Sequence, residues 1–131
     1  MKSKMLVAAC VLLWIGVYLL NTPNVWAQSH AGRIVRLAEL EIDPAQLDAY
    51  KASLREEIET SLRVEPGVLT LYAVSVKDQP NQIRLFEMYS SPEAYQSHLQ
   101  SEHFKKYKTA TAATVKSLRL IETEPLVLGR K

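Results

Sequence analysis

Two short segments, Asp43-Pro44 and Ser91-Pro92, constrain the fold of this chain most, because each joins a strand-like run to an amphipathic helix. In both, a residue whose side chain can cap a helix precedes a proline, which suits the first helical position. Residues 33–42 and 83–89, which come before them, are rich in branched and aromatic residues and predict strands. The sequence therefore contains two similar strand–helix units.

The remaining pattern supplies the other elements. The inner face of the first helix is predicted to carry apolar residues at three- and four-residue spacing, namely Leu47, Tyr50, Leu54, Ile58 and Leu62. Residues 68–77 predict a second strand, which forms a hairpin with 83–89 through a turn at Asp78-Gln79-Pro80-Asn81. Ser101 is expected to begin a further helical segment, and 118–128 a last strand that Pro125 places at an edge or a bulge. The predicted order, βαββαβ, is that of a ferredoxin-like α+β fold.

The predicted strands are apolar on both faces. In the second strand, simple alternation places Val68, Tyr72 and Val74 on one face and Leu69 and Leu71 on the other. Two helices cover only one face of a four-stranded sheet, so the other face needs a second cover. Because a single domain of this size has few residues left to cover that face, we expect a second copy of the same sheet to cover it, and therefore a symmetric homodimer.

The N-terminus has the order of a secretory signal. Lysines occur among the first four residues, an apolar run spans 5–20, and a more polar stretch ends at Ala27. We expect a signal peptide at 1–27, a flexible leader at 28–32 and the folded domain at 33–128, which implies a periplasmic or secreted protein. An uncleaved signal would leave a membrane anchor as the only membrane contact, although the run is short for a spanning helix.

Composition excludes several classes of function. Removal of Lys2 and Lys4 with the signal would reduce the 16 basic residues to the number of the 14 acidic residues, so no nucleic-acid partner is expected. The only cysteine, Cys10, would leave with the signal, which excludes disulfides and thiolate chemistry in the mature chain. There is no Gly-rich phosphate loop and no Ser-His-Asp signature.

Residues 87–104 contain an acid on the predicted strand, Glu87, and two histidines, His98 and His103. The imidazole groups of the histidines titrate near neutral pH. His98 and His103 are five residues apart and would not share a face of an unbroken helix, which argues against a two-histidine metal site. If Ser101 breaks the helix, the two rings could converge, and the sequence leaves this open. Glu87 could orient a histidine, or pair with one of three arginines, Arg36, Arg84 or Arg119.

Three stretches carry a resemblance to a known family: Glu65-Pro66-Gly67-Val68, Phe86-Glu87-Met88-Tyr89, and Ala94-Tyr95-Gln96-Ser97-His98-Leu99 with His103-Phe104. From Arg33 to Leu126 the chain resembles the antibiotic biosynthesis monooxygenase (ABM) domain. The resemblance implies a dimeric α+β barrel. It also implies an oxygenase that uses no metal, haem or flavin, because an electron-rich substrate supplies the electrons.

On that resemblance, we expect a cofactor-independent monooxygenase that oxidises a quinol or small phenolic substrate with O2. His98 or His103 would act as the base, with Glu87 as the orienting acid. Tyr72 and Tyr89 would donate hydrogen bonds to the substrate, and Phe86 and Phe104 would form cavity wall. Two alternatives stay open, a non-catalytic module that binds a small ligand and an isomerase-type enzyme on the same fold.

Overall fold

The structure, a computed structural model, describes residues 32–127 and residue 129. The predicted signal (1–27), most of the predicted leader (28–32) and the predicted domain end at 128 lie outside the described residues. The elements are β1 (Ile34–Ile42), a 3-10 turn (Pro44–Gln46), α1 (Leu47–Val64), β2 (Val68–Val76), β3 (Gln79–Tyr89), α2 (Pro92–Gln100), α3 (Glu102–Thr111) and β4 (Val115–Thr123). Among the described helices, none has the length and apolar character that a membrane span requires.

The four strands form one antiparallel sheet in the order β2-β3-β1-β4. The predicted ferredoxin-like α+β fold is confirmed. Both proline-containing segments begin helices as expected, since Asp43 accepts a hydrogen bond from the Ala45 amide at 3.0 Å and Ser91 accepts one from the Ala94 amide at 3.1 Å. Asp43 opens the 3-10 turn, and α1 follows at Leu47.

The core lies between the helices and one face of the sheet. Ala38, Leu40 and Ile42 of β1 pack against Tyr50 and Leu54 of α1. Burial of each larger side chain contributes about 1.5–3 kcal/mol, so this seam fixes α1 on the sheet. The helix layer does not extend fully over β4, because Leu118 and Leu120 share this face yet stay 43% and 47% exposed.

Residues 32–127 leave the opposite face of the sheet partly exposed. Across the four strands, one row of directly opposed residues consists of Tyr72, Phe86, Leu37 and Ile121. Tyr72 is 65% exposed and Leu37 is 37% exposed. Neighbouring apolar residues on an open sheet face are a candidate interaction surface.

Several predicted positions were wrong for local reasons. A bulge between Val68 and Thr70 breaks the alternation of β2, so Val68 and Leu71 are both buried in one cluster. The hairpin turns at Lys77-Asp78, where Asp78 has a φ of 67°, and β3 therefore begins at Gln79.

Two further boundaries differ from the prediction. β4 begins at Val115 and ends at Thr123, so Pro125 follows the strand and does not interrupt it.

The buried face of α1 also differs from the prediction. Leu62 is 47% exposed, and the buried positions of α1 are Tyr50, Leu54, Glu57 and Ser61. The buried stripe therefore passes through a carboxylate and a hydroxyl at helical spacing, which a search for apolar residues does not find.

Candidate active site

Glu65 lies where α1 ends, because Pro66 disfavours a helical conformation in the residue before it. Its backbone is extended (φ −110°, ψ 100°), and its side chain is 14% exposed. The chain then passes close to α2 at Gly67. A Cβ at this position would meet the Cβ of Ala94 at 2.5 Å, so only glycine permits this approach. These features bring Glu65 next to the junction between α2 and α3.

Ser101 produces that junction. Its backbone is extended (φ −66°, ψ 147°), which ends α2, and its hydroxyl accepts a hydrogen bond from the Phe104 amide at 3.3 Å, which caps α3. The same hydroxyl donates to the His98 carbonyl at 2.8 Å. Because the helix breaks here, the rings of His98 and His103 approach to 6.3 Å between centroids. The two histidine rings therefore converge, which is the alternative that the sequence left open.

One carboxylate oxygen joins the two histidines. Glu65 Oε1 lies 2.9 Å from His98 Nδ1 and 2.5 Å from His103 Nε2. Burial by itself raises the pKa of Glu65, but the hydrogen bonds from both histidines outweigh it and lower that pKa below its usual value. Glu65 is therefore a carboxylate near neutral pH and can only accept hydrogen bonds. His98 Nδ1 must then carry a proton, and in the neutral ring Nε2 is free to accept one.

Glu57 faces that free nitrogen. Its Oε1 lies 3.6 Å from His98 Nε2 and accepts a hydrogen bond of 2.7 Å from Ser61. The side chain is 5% exposed, and burial raises the pKa of Glu57 although Ser61 and His98 oppose the shift. His98 thus lies between the ionised carboxylate of Glu65 on one side and, on the other, the carboxyl group of Glu57, whose pKa is raised by burial.

A cavity of about 600 Å³ lies beside this cluster, between the sheet and the helices. Its wall is mainly apolar and includes Leu40, Leu54, Leu71, Leu85, Leu118 and Leu120. His98 lines it and packs against the ring of Phe104 at 4.7 Å and that of Tyr89 at 5.3 Å between centroids. A mostly apolar hollow with few polar groups is typical of a small-molecule site.

Glu87 lies in the same wall but does not contact either histidine by a hydrogen bond. Its Oε2 accepts a hydrogen bond of 3.0 Å from the hydroxyl of Tyr89, and across the sheet it is paired with Arg36. Burial raises the pKa of Glu87, although Tyr89 and Arg36 oppose this. Burial and the neighbouring Glu87 raise the pKa of Tyr89 as well. The acid that holds the histidines is therefore Glu65, not the predicted Glu87.

The predicted site residues divide into two groups. His98, Glu87, Tyr89 and Phe104 line the cavity, whereas His103 does not line it and is linked to His98 through Glu65. Tyr72 and Phe86 lie on the opposite face of the sheet and do not line this cavity, so their predicted contact with a substrate stays a prediction. They are directly opposed across β2 and β3, one residue out of phase with Leu85 and Glu87, and neighbouring strand residues point to opposite faces.

Two acids of the cluster were missed by the sequence reasoning. Glu57 follows Tyr50 and Leu54 at helical spacing, so a carboxylate in the apolar stripe was the available signal. Glu65 was identified only as part of the helix stop. Its role depends on contact with His98 and His103, which are far from it in the sequence, so no local pattern indicates that role.

The cluster also has the composition of a metal site. Glu57, His98 and His103 each offer a ligand atom, and these atoms lie within 4.8 Å of one another. The spacing argument against a metal assumed an unbroken helix, and the break at Ser101 removes it. Two imidazoles with one carboxylate suit a divalent transition metal. A metal would compete with the hydrogen bonds that Glu65 makes to both rings.

Fold and site together define a small α+β domain with a histidine–carboxylate cluster beside an apolar cavity. The profile of the antibiotic biosynthesis monooxygenase family matches residues 33–110, and the chain belongs to that family. No curated protein matches the chain.

Solved structures agree with this assignment. The chain is similar to a protein from Bacteroides thetaiotaomicron provisionally named an antibiotic biosynthesis monooxygenase, with 49% identity, a TM-score of 0.74, and coverage of 76% of this chain and 95% of that one. A provisionally named monooxygenase from Lactobacillus acidophilus is 29% identical, with a TM-score of 0.69. The match covers 72% of this chain and 44% of that one. A Nitrosomonas europaea protein with the same provisional name as the first is 21% identical (TM-score 0.69; 76% of this chain, 93% of that one) and shows the fold alone.

Proposed function

We propose that this protein is a cofactor-independent monooxygenase that oxidises a quinol or small phenolic substrate with O2. The observation that carries the proposal is His98, a buried imidazole that lines an apolar cavity while Glu65 holds its other nitrogen. Membership of the monooxygenase family supports the reaction class. The quinol or phenolic substrate is inferred from the chemistry that such a site can perform.

In the proposed reaction, His98 Nε2 accepts the proton of a substrate hydroxyl. The resulting anion is electron-rich and transfers one electron to O2, and the superoxide and the ring radical then combine to form a carbon–oxygen bond. The peroxide anion formed in this way takes the proton back from the His98 imidazolium and becomes a hydroperoxide. Loss of water from this hydroperoxide leaves a carbonyl group, so one oxygen atom enters the product and the other leaves as water. General-base catalysis of this kind contributes about 10²–10⁴-fold in rate.

Glu65 and Glu57 have different parts in this proposal. Glu65 fixes the ring orientation and stabilises the imidazolium that forms when His98 takes the proton. Glu57, whose pKa is raised by burial, is a candidate to return a proton during the loss of water. His103 is a positioning residue, since its contact with the site is the bond to Glu65.

The test is oxygen uptake with a series of hydroquinones, with ¹⁸O₂ labelling of the product and a protein-free control for autoxidation. We expect one labelled oxygen per product and a loss of about 10²-fold or more in kcat/KM for His98→Ala. His103→Gln is the matched control, because it replaces the other ring outside the cavity, and its effect should be smaller. Tight binding without any uptake above the control would instead identify a binding module, and conversion without oxygen would identify an isomerase-type enzyme.

We also propose a homodimer that buries the open face of the sheet. The apolar row of Tyr72, Phe86, Leu37 and Ile121 supports it, because it lies at the centre of that face. Leu37→Lys would place a charge in the proposed interface, and light scattering should then report a monomer. Lys116→Glu, a charge change on β4 away from this row, is the control. A stable monomer for the unmodified chain contradicts the proposal.

The secretory signal and a periplasmic or secreted location remain part of the proposal. They rest on the residue pattern of 1–27 alone. N-terminal sequencing of the protein recovered from cells tests them, with cleavage after Ala27 as the expected result. Recovery of the uncleaved chain in the membrane fraction would favour the anchor.

A further inference from the structure

Arg36 is a buried cation in the cavity wall. It lies on β1 with its side chain 11% exposed, and it lines the cavity with His98. Its Nη1 donates a hydrogen bond to the hydroxyl of Tyr95, and its Cζ lies 4.7 Å from the centre of the Tyr95 ring. Its ion pair with Glu122 has a separation of 3.9 Å from Nη2, and Glu122 is 89% exposed, so this ion pair is weakened by solvent. Glu87 is the cross-strand neighbour on β3, and the charge of Arg36 opposes the rise in the pKa of that acid.

One donor of Arg36 has no partner. Among residues 32–127 and 129, the Nε of Arg36 is the one buried side-chain nitrogen or oxygen without a hydrogen bond. Buried donors are almost always satisfied, and leaving one unpaired is costly, more so for a charged group. Because Nε has almost no accessible surface, a ligand oxygen would reach it after a small shift of the Arg36 side chain toward the cavity that this residue lines.

The charges around the cavity favour an anionic oxygen over a neutral one. Lys108 and Lys116 line the same cavity as Arg36 and add two further cations. The acids that line it are Glu57, which accepts a hydrogen bond from Ser61, and Glu87, which accepts one from Tyr89, so the three cations outnumber them. An anion that enters meets an incompletely paired guanidinium, and charge-assisted hydrogen bonds are about twice as strong as neutral ones.

A row of rings connects Arg36 with His98. From Arg36 the successive separations are 4.7 Å to the ring of Tyr95, 5.1 Å from Tyr95 to Tyr89, and 5.3 Å from Tyr89 to His98. The two groups therefore lie along one wall of the cavity, separated by aromatic surface. A flat ring system can lie against that surface with its polar end at Arg36.

We infer that the ligand is an aromatic acid, whose carboxylate binds Arg36 and whose ring lies along the Tyr95–Tyr89 wall toward His98. This inference rests on the proposed function, since it names the substrate class of that same cavity. It assigns Arg36 as the residue that determines specificity. In the oxygenase reaction, binding of the carboxylate would present a hydroxyl at the far end of the ring to His98 Nε2.

The test uses two probes that cannot be oxidised at a phenol, 2-naphthoate and 2-naphthalenemethanol, which share a ring system and differ in charge. Isothermal titration should show 2-naphthoate binding about tenfold or more tightly, which corresponds to 1.4 kcal/mol. Arg36→Met should remove this preference by weakening 2-naphthoate about tenfold, while the alcohol changes little. Arg36→Lys keeps the charge without Nε and should recover only part of the preference.

Three controls make the result decisive. Arg84→Met removes an arginine from the opposite face of the sheet and should leave the preference unchanged. Lys108→Met and Lys116→Met ask whether a lysine binds the carboxylate, and loss of the preference in either one, with Arg36→Met unaffected, overturns the inference. So does equal binding of the two probes by the unmodified protein, a measurement that needs no variant to fold.

The two proposals can fail separately. Oxygen uptake with hydroquinones but no preference for 2-naphthoate would sink the aromatic-acid inference and leave the oxygenase intact. A preference for 2-naphthoate that depends on Arg36, without oxygen uptake from any hydroxylated aromatic acid, would overturn the oxygenase and retain the binding site.

Discussion

Replacement of Glu65 by glutamine tests the central feature of the site, the single oxygen that joins both histidines. Glutamine keeps the size and shape of the side chain and can still offer one neutral acceptor. It removes the charge from two hydrogen bonds, of 2.9 Å and 2.5 Å. Hydrogen bonds to charged groups contribute about 1.5–3 kcal/mol and neutral ones about 0.5–1.5 kcal/mol.

The difference is about 1 kcal/mol for each bond, so Glu65→Gln should lower the free energy of unfolding by about 2 kcal/mol at pH 7. For a domain of this size, that corresponds to a fall in Tm of about 8–16 °C. Urea unfolding followed by circular dichroism measures the first quantity, and calorimetry measures the second. Glu102→Gln is the matched control, because its carboxylate is 95% exposed and its contact with Lys105 is 3.8 Å.

The same variant has a predicted pH dependence. The pKa of Glu65 is lower in the folded chain than its unfolded value near 4.5. The stability that the carboxylate contributes is therefore present above about pH 4.5 and is lost as the pH falls through the folded pKa. The gap between the unmodified protein and Glu65→Gln should close in acid. If the two proteins are equally stable at pH 7, or the gap is constant down to pH 3, the reasoning is refuted.

Three further predictions concern the surroundings of the site. Gly67→Ala should destabilise the chain by about 1–3 kcal/mol through overpacking, because its Cβ would lie 2.5 Å from the Cβ of Ala94. Ala94→Gly in the same chain should restore part of the loss, and a double-mutant cycle of urea unfolding in which the two effects simply add would contradict this. Because burial raises the pKa of Glu87 in the folded chain, stability should fall as pH rises from 4.5 through that pKa, and Glu87→Gln should flatten this fall in a pH series of urea melts. Oxygen uptake should persist after treatment with a chelator; loss of uptake that a divalent metal restores would instead indicate a metal at Glu57, His98 and His103.

The sequence by itself predicted the fold class because its signals are local. The caps Asp43 and Ser91 and the breaks at Pro66 and Ser101 each act within a few residues, and they set where the main elements begin and end. Where a boundary depended on pairing with a distant strand, as at the Val68 bulge and the start of β4, the local pattern was wrong. A bulge shifts every later side chain to the other face, and only the partner strand determines whether it forms.

The candidate site shows the same division. His98, Glu87, Tyr89 and Phe104 could be proposed from residue chemistry, because they occur in one continuous segment. The partners that give them a possible chemistry, Glu57, Glu65 and Arg36, come from two other elements and the end of a helix. Tertiary packing alone decided that one carboxylate holds two rings and that one guanidinium nitrogen lacks a partner among the residues that the structure describes. The reason is physical: helix and strand signals act over a few residues, whereas an ion pair or a cavity forms only when distant parts of the chain bury each other.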